Sequence, residues 1–75
     1  MLTARQKIGN NIKRRLKELR KDPRWLARAT AKADDTIRRY IDGYRVPSSI
    51  ALYKIALAMD CTMESLMEGS LDDGK

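Results

Sequence analysis

Apolar positions recur along this chain at helical spacing, and the pattern reads as five helices and no strand. Ile8, Ile12, Leu16 and Leu19 fall at i, i+4, i+8 and i+11, which places them on one face of a helix from about Ala4 to Arg20. Thr3 with Gln6 supplies a capping-box start. Gly9 lies inside this helix at a cost of about 1 kcal/mol relative to Ala, so a close backbone approach is the expected reason for it. Asp22 caps helix 2, and Pro23 takes the first position, where a missing N–H does no harm. Trp25 and Leu26 anchor that helix to the core. Helix 3 spans roughly Asp34 to Asp42 and is ended by Gly43. Val46-Pro47-Ser48 forms the next connection, and Ser48 or Ser49 caps helix 4. From Ile50 to Met59 the chain is strongly apolar, with Leu52, Ile55, Ala56 and Met59 marking a central core helix. Thr62 caps a last short helix whose apolar side is Met63, Leu66 and Met67.

The fold class is therefore all-α, in one domain over residues 1–69, with 70–75 as a flexible C-terminal tail. Within it, the stretch from Asp22 to Ser48 is the most informative. Two short helices meet at a break that holds no Pro or Gly. Leu26, Ala27, Ala31, Ile37, Tyr40 and Ile41 form the expected apolar face, while Arg28, Lys32, Arg38, Arg39 and Arg45 stand outside. Two helices joined by a tight turn, the second bearing cations, is the arrangement that sets a helix into a DNA major groove.

Charge sharpens that picture. The formal net charge is +6 with 35% charged residues, and the cations are unevenly spread. Ten of them precede residue 29 against two carboxylates, Glu18 and Asp22, whereas the stretch from Asp60 onward has five carboxylates against Lys75. A basic body suggests a polyanion met by one face. With no histidine and a single cysteine, Cys61, neither a His-based acid/base site nor a zinc cluster can be assembled, and no carboxylate pair sits in an apolar setting. An enzyme is not expected, nor a cofactor, a metal or a small-molecule ligand. The lone cysteine fits a reducing cytoplasm, and no apolar run approaches the ~18 residues of a membrane span.

Taken together, several residues resemble a known family at its own spacing. Ile8-Gly9 and Ile12, then Leu26-Ala27, then Thr36-Ile37 with Gly43, Arg45 and Pro47-Ser48 carry the first part of the likeness. Leu52, Ile55-Ala56, Ala58-Met59, Thr62, Leu66 and Gly69 complete it. The chain resembles the lambda-repressor-like, or Cro/C1-type, helix-turn-helix domains of phage and bacterial regulators. That resemblance implies a five-helix bundle in which helix 3 is the recognition helix. It places Asp34, Asp35, Thr36 and Arg39 where the family contacts bases. Arg24, Lys32, Arg38, Tyr44 and Arg45 fall at or beside its backbone contacts. It further implies a homodimer on a two-fold operator, with Met63, Leu66 and Met67 of the last helix as the dimer contact.

The chain departs from the family in the turn. Ala31, Lys32 and Ala33 stand where the family has Gly, an aliphatic residue and a Ser or Thr cap. Alanine has no capping oxygen, so the cap is expected to pass to Asp34 and move the helix start by a residue. Asp34 and Asp35 repel phosphates unless they accept a hydrogen bond from cytosine N4, and otherwise serve the helix dipole alone. Two other functions fit the same residues: an antitoxin that represses its own operon, and a protein-interaction module on this fold that binds no DNA.

Overall fold

The computed structural model describes residues 2–69, in which five α-helices and no strand are found. The predicted tail, 70–75, lies outside the described residues. The helices are α1 (Ala4–Leu19), α2 (Pro23–Thr30), α3 (Asp34–Asp42), α4 (Ser49–Ala58) and α5 (Met63–Leu66). None of them is long and apolar enough to cross a membrane.

Local chemistry sets most of these boundaries. The Thr3 hydroxyl accepts from the Gln6 backbone N–H at 3.3 Å, and the Thr3 N–H donates to Gln6 Oε1 at 2.9 Å, closing the expected capping box. Asp22 accepts from the Trp25 N–H at 2.8 Å ahead of Pro23, and Ser48 and Thr62 cap α4 and α5 in the same way. α1 stops at Leu19, one residue short of the expected end, because Arg20 turns into the left-handed region at φ 57°. Ala31 ends α2 by the same device, also at φ 57°. This corrects its assignment to the apolar face, since Ala31 is exposed and its N–H reaches back to the Ala27 and Arg28 carbonyls. A residue with a Cβ is strained there by about 1–2 kcal/mol.

All five helices contribute to one core. Ile12, Leu26, Ile37, Ile55, Met59 and Leu66 are fully buried, joined by Ile8, Leu16, Tyr40 and Leu52. Trp25 is half-buried against this cluster, with the Lys21 ammonium 5.5 Å from its ring centroid. A polar stripe on α1 fastens the C-terminal end of the bundle. Lys7, Asn11 and Arg15 follow one another at four-residue spacing, so they share a face. Lys7 Nζ donates to the Gly69 carbonyl at 3.1 Å. Asn11 Nδ2 donates to the carbonyls of Leu66 at 2.8 Å and Glu68 at 2.9 Å. Arg15 reaches those of Met59 at 3.0 Å and Asp60 at 3.1 Å. These carbonyls belong to the ends of α4 and α5, where no further helical turn exists to satisfy them.

The tightest contact lies at the other side of α1. A Cβ built on Gly9 would stand 2.5 Å from the Tyr40 carbonyl oxygen and would also press into the Ile41 carbonyl. Gly43, the α3 cap at φ 82°, approaches Gln6 less tightly, with a Cβ there 2.9 Å from the Gln6 side-chain Cγ. The C-terminal half of α3 is therefore seated backbone-to-backbone on the first half of α1. Ile41 lies half-buried at this junction and packs on the core. Replacing Gly9 by Ala in an ordinary helix would raise stability, but here it should lower it by about 1–3 kcal/mol, the cost of forcing atoms into a packed contact. Thermal unfolding of Gly9→Ala checks this, with a melting temperature several degrees below that of the parent chain as the expected result.

Candidate nucleic-acid interface

With Ile37 and Tyr40 buried and Thr36 and Ile41 half-buried, α3 has one side left for solvent. That side presents Asp34, Asp35, Arg38, Arg39 and Asp42, all exposed. The spacing dictates it, because residues 35, 38, 39 and 42 fall within one stripe of a 3.6-residue helix. Among the described residues neither Arg38 nor Arg39 has an ion-pair partner within 4.0 Å, so both guanidiniums are available to a ligand. Three carboxylates against two cations nevertheless make this face slightly acidic as a whole. Affinity for a polyanion has to come from cations around α3 as well as from α3 itself.

Those cations are present on both flanks. Arg24 and Arg28 are exposed one turn apart on α2, which puts them on a common side of that helix. Arg28 was assigned no contact from sequence; its four-residue spacing from Arg24 is the signal that pairs them. Arg24 Nε lies 3.8 Å from Asp34 Oδ2, so the structure brings the start of α2 and the start of α3 together. Both partners are about half-exposed, and such a pair contributes at most about 1 kcal/mol. Its significance is geometric: the Asp34 charge faces Arg24 and is partly neutralised by it. Beyond α3, the Tyr44 and Arg45 N–H groups both fold back to the Arg39 carbonyl, at 2.9 and 3.3 Å. The Tyr44 ring, 73% exposed, and the exposed Arg45 therefore sit beside the last turn of α3. Lys32 is half-buried in the turn between α2 and α3.

Two assignments from sequence need correction. Asp34 is not the cap of α3. Ala33 holds the cap position with extended backbone and no side-chain hydrogen bond, and Asp34 is the first helical residue. In place of a side-chain cap, the start of α3 has the acidic first turn of Asp34 and Asp35, which the helix dipole favours. Both carboxylates stand where negative charge favours a helix N-terminus, and Asp34 is additionally turned to Arg24. The second correction concerns the last helix. Leu66 is 1% exposed and belongs to the core, which removes it from any partner-facing surface, while Met63 and Met67 are half-buried against the same cluster.

Among the described residues, no group of three or more His, Cys, Asp or Glu side chains is placed to hold a metal ion. The chemistry on offer is a set of exposed guanidiniums around a short helix whose far end is fixed to the core. Because Ala33 leaves α3 uncapped, Ala33→Ser should supply a hydrogen bond to the N–H of residue 35 or 36 and raise stability by about 1 kcal/mol. Chemical denaturation of the variant against the parent chain measures that difference.

No family model, curated protein or solved structure matches this chain.

Proposed function

We propose that this chain is a sequence-specific, double-stranded-DNA-binding transcriptional regulator of the lambda-repressor-like, Cro/C1 type, a phage or prophage repressor acting as a homodimer in the cytoplasm. The observation that carries this reading is the exposed stripe of α3. Two unpaired guanidiniums, Arg38 and Arg39, project from a helix that Gly9 seats rigidly on α1, with Arg24 at one end and Arg45 at the other. In this reading Arg24, Lys32, Arg38, Tyr44 and Arg45 hold phosphates and fix the register. Arg39 reads a base edge, guanine being the base whose O6 and N7 accept a bidentate guanidinium. Thr36 lies half-buried beside it and offers a methyl group to thymine. Asp34 is engaged with Arg24, which leaves Asp35 as the carboxylate able to accept from cytosine N4. Regulation then follows from occupancy, since a bound protein excludes or assists polymerase at the same sequence.

A second reading is favoured by one feature, the excess of carboxylates on α3. A protein-interaction module would keep the fold and bind no duplex. Salt separates the two. With Arg24, Lys32, Arg38 and Arg45 on phosphates, the logarithm of duplex affinity should fall with the logarithm of salt at a slope of roughly −3 to −4 per copy. Arg45→Ala should weaken all duplexes alike and reduce that slope by about 1, whereas Arg39→Ala should cost roughly 1–3 kcal/mol on the preferred sequence and relax its preference. Fluorescence anisotropy over a salt series reads both. An Arg39→Ala protein with unchanged affinity would show that α3 does not read bases.

A further inference from the structure

From Lys7 onward, the cations of α1 and its cap divide into two groups. Toward α5 each is engaged: Lys7 donates to the Gly69 carbonyl, Arg15 lies 3.3 Å from Glu18, and Arg14 lies 3.8 Å from Glu68. Lys13, Lys17 and Arg20 form the other group. All three are exposed, and among the described residues none has an ion-pair partner within 4.0 Å. Lys17 follows Lys13 by four residues and Arg20 follows Lys17 by three, so they share one side of the helix. Like charges at this spacing repel and cost the helix stability. The helix dipole accounts for a cation in the last turn, Lys17 or Arg20, but its reach ends there, a turn short of Lys13. None of the three takes part in the contacts proposed above.

Both ends of α3 are tied to this row. At the last turn of α3, Lys13 lines a shallow recess together with Ile41 and Asp42. At its first turn, Asp34 lies 3.8 Å from Arg24, four residues beyond Arg20. The row therefore runs alongside α3 from its last turn to its first. It covers roughly 10 Å between Lys13 and Arg20, close to the length of α3 itself. A B-form major groove is about 12 Å wide and packed helices lie about 8–10 Å apart, so with α3 in the groove α1 comes to lie over one of its two phosphate walls. A phosphate wall is a continuous line of negative charge, which a row of unpaired cations parallel to α3 matches. An acidic protein segment could match the charge, but it would have no reason to follow the direction of α3.

We propose that Lys13, Lys17 and Arg20 grip the phosphate backbone along one wall of the groove that α3 enters. The proposal rests on the DNA-binding reading and adds to it a division of labour. Phosphate contacts carry no sequence information, so the α1 row raises affinity for every duplex alike, while α3 discriminates between them. Three neutralised phosphates add about 3 to the magnitude of the salt slope that the cations around α3 give alone.

Fluorescence anisotropy on a selected duplex and on a random-sequence duplex, each over a salt series, tests this with a Lys13→Gln, Lys17→Gln double variant. Gln is a good helix former, so circular dichroism should show the parent helicity. The salt slope should become shallower by about 2, and affinity for the random-sequence duplex at ~0.1 M salt should fall about tenfold or more. The ratio of the two affinities should stay within about twofold of the parent value. An Arg14→Gln, Lys54→Gln double variant loses the same charge from other surfaces and should keep the parent slope. A Lys13→Gln, Lys17→Gln protein with the parent slope overturns the proposal and leaves the DNA-binding reading standing. An equal loss in the Arg14→Gln, Lys54→Gln control overturns it too, since net charge alone would then be at work. A parent chain that binds neither duplex contradicts the DNA-binding reading and the α1 contact together, and leaves the row to an acidic protein.

Discussion

Everything proposed for α3 depends on the contact between Gly9 and the carbonyls of Tyr40 and Ile41. A nine-residue helix has little stability of its own and takes its orientation from what it packs on. Here that support is a backbone surface with no side chain between the two helices at the closest point. Gln6 and Gly43 extend the same seat by one turn, and Ile37 and Tyr40 lock it from the core side. A helix held at its C-terminal end and lined by exposed polar residues along the free side presents its outward stripe at a fixed angle. Without the glycine, a methyl group would have to displace main chain, and the angle of α3 would be the first thing to change.

α1 serves two ends of the molecule. Its Gly9 side seats α3, while Lys7, Asn11 and Arg15 hold the carbonyls that terminate α4 and α5. Asn11 is buried with both amide hydrogens donated, an arrangement that costs heavily if either acceptor moves. Orientation of α3 and closure of the bundle are thus fastened to one rigid rod. The acidic residues on α3 fit this division of labour. Ala33 offers the helix no cap, so Asp34 and Asp35 supply the negative charge that its N-terminus requires, and Arg24 offsets part of the local excess.

Much of this was legible in the sequence because capping chemistry is local. Thr3-Gln6, Asp22-Pro23, Ser48 and Thr62 each announce a helix start within four residues, and all four form the expected hydrogen bonds. Gly9 announced a close approach through its helical cost, though not its partner, which is remote in the chain. The turn was harder. Left-handed Ala31 and the uncapped Ala33 are strained or unsatisfied choices that no propensity rule selects, so the apolar assignment of Ala31 and the capping role of Asp34 were both wrong. α4 left one face unassigned. From Ile50 to Met59 nearly every residue is apolar, and periodicity cannot say which side of such a helix is buried. Leu52, Ile55, Ala56 and Met59 were nevertheless the expected core positions and all are buried, while Ile50, Tyr53 and Leu57, which received no role, face solvent; Leu66, given a contact role by the family resemblance, belongs to the core. Arg38 and Arg39 were placed correctly on the outside because Ile37 and Tyr40 fix the phase of α3.

The central claim is that the outward stripe of α3 reads duplex DNA. Selection of bound duplexes from a random-sequence library at moderate salt tests it most directly. The account predicts enrichment of a two-fold motif whose half-sites lie about one helical turn, ~34 Å, apart. Loss of that motif for Arg39→Ala would then tie it to α3. Retention of duplexes with no enriched sequence would reduce the protein to a phosphate binder, and no retention at all would contradict the account.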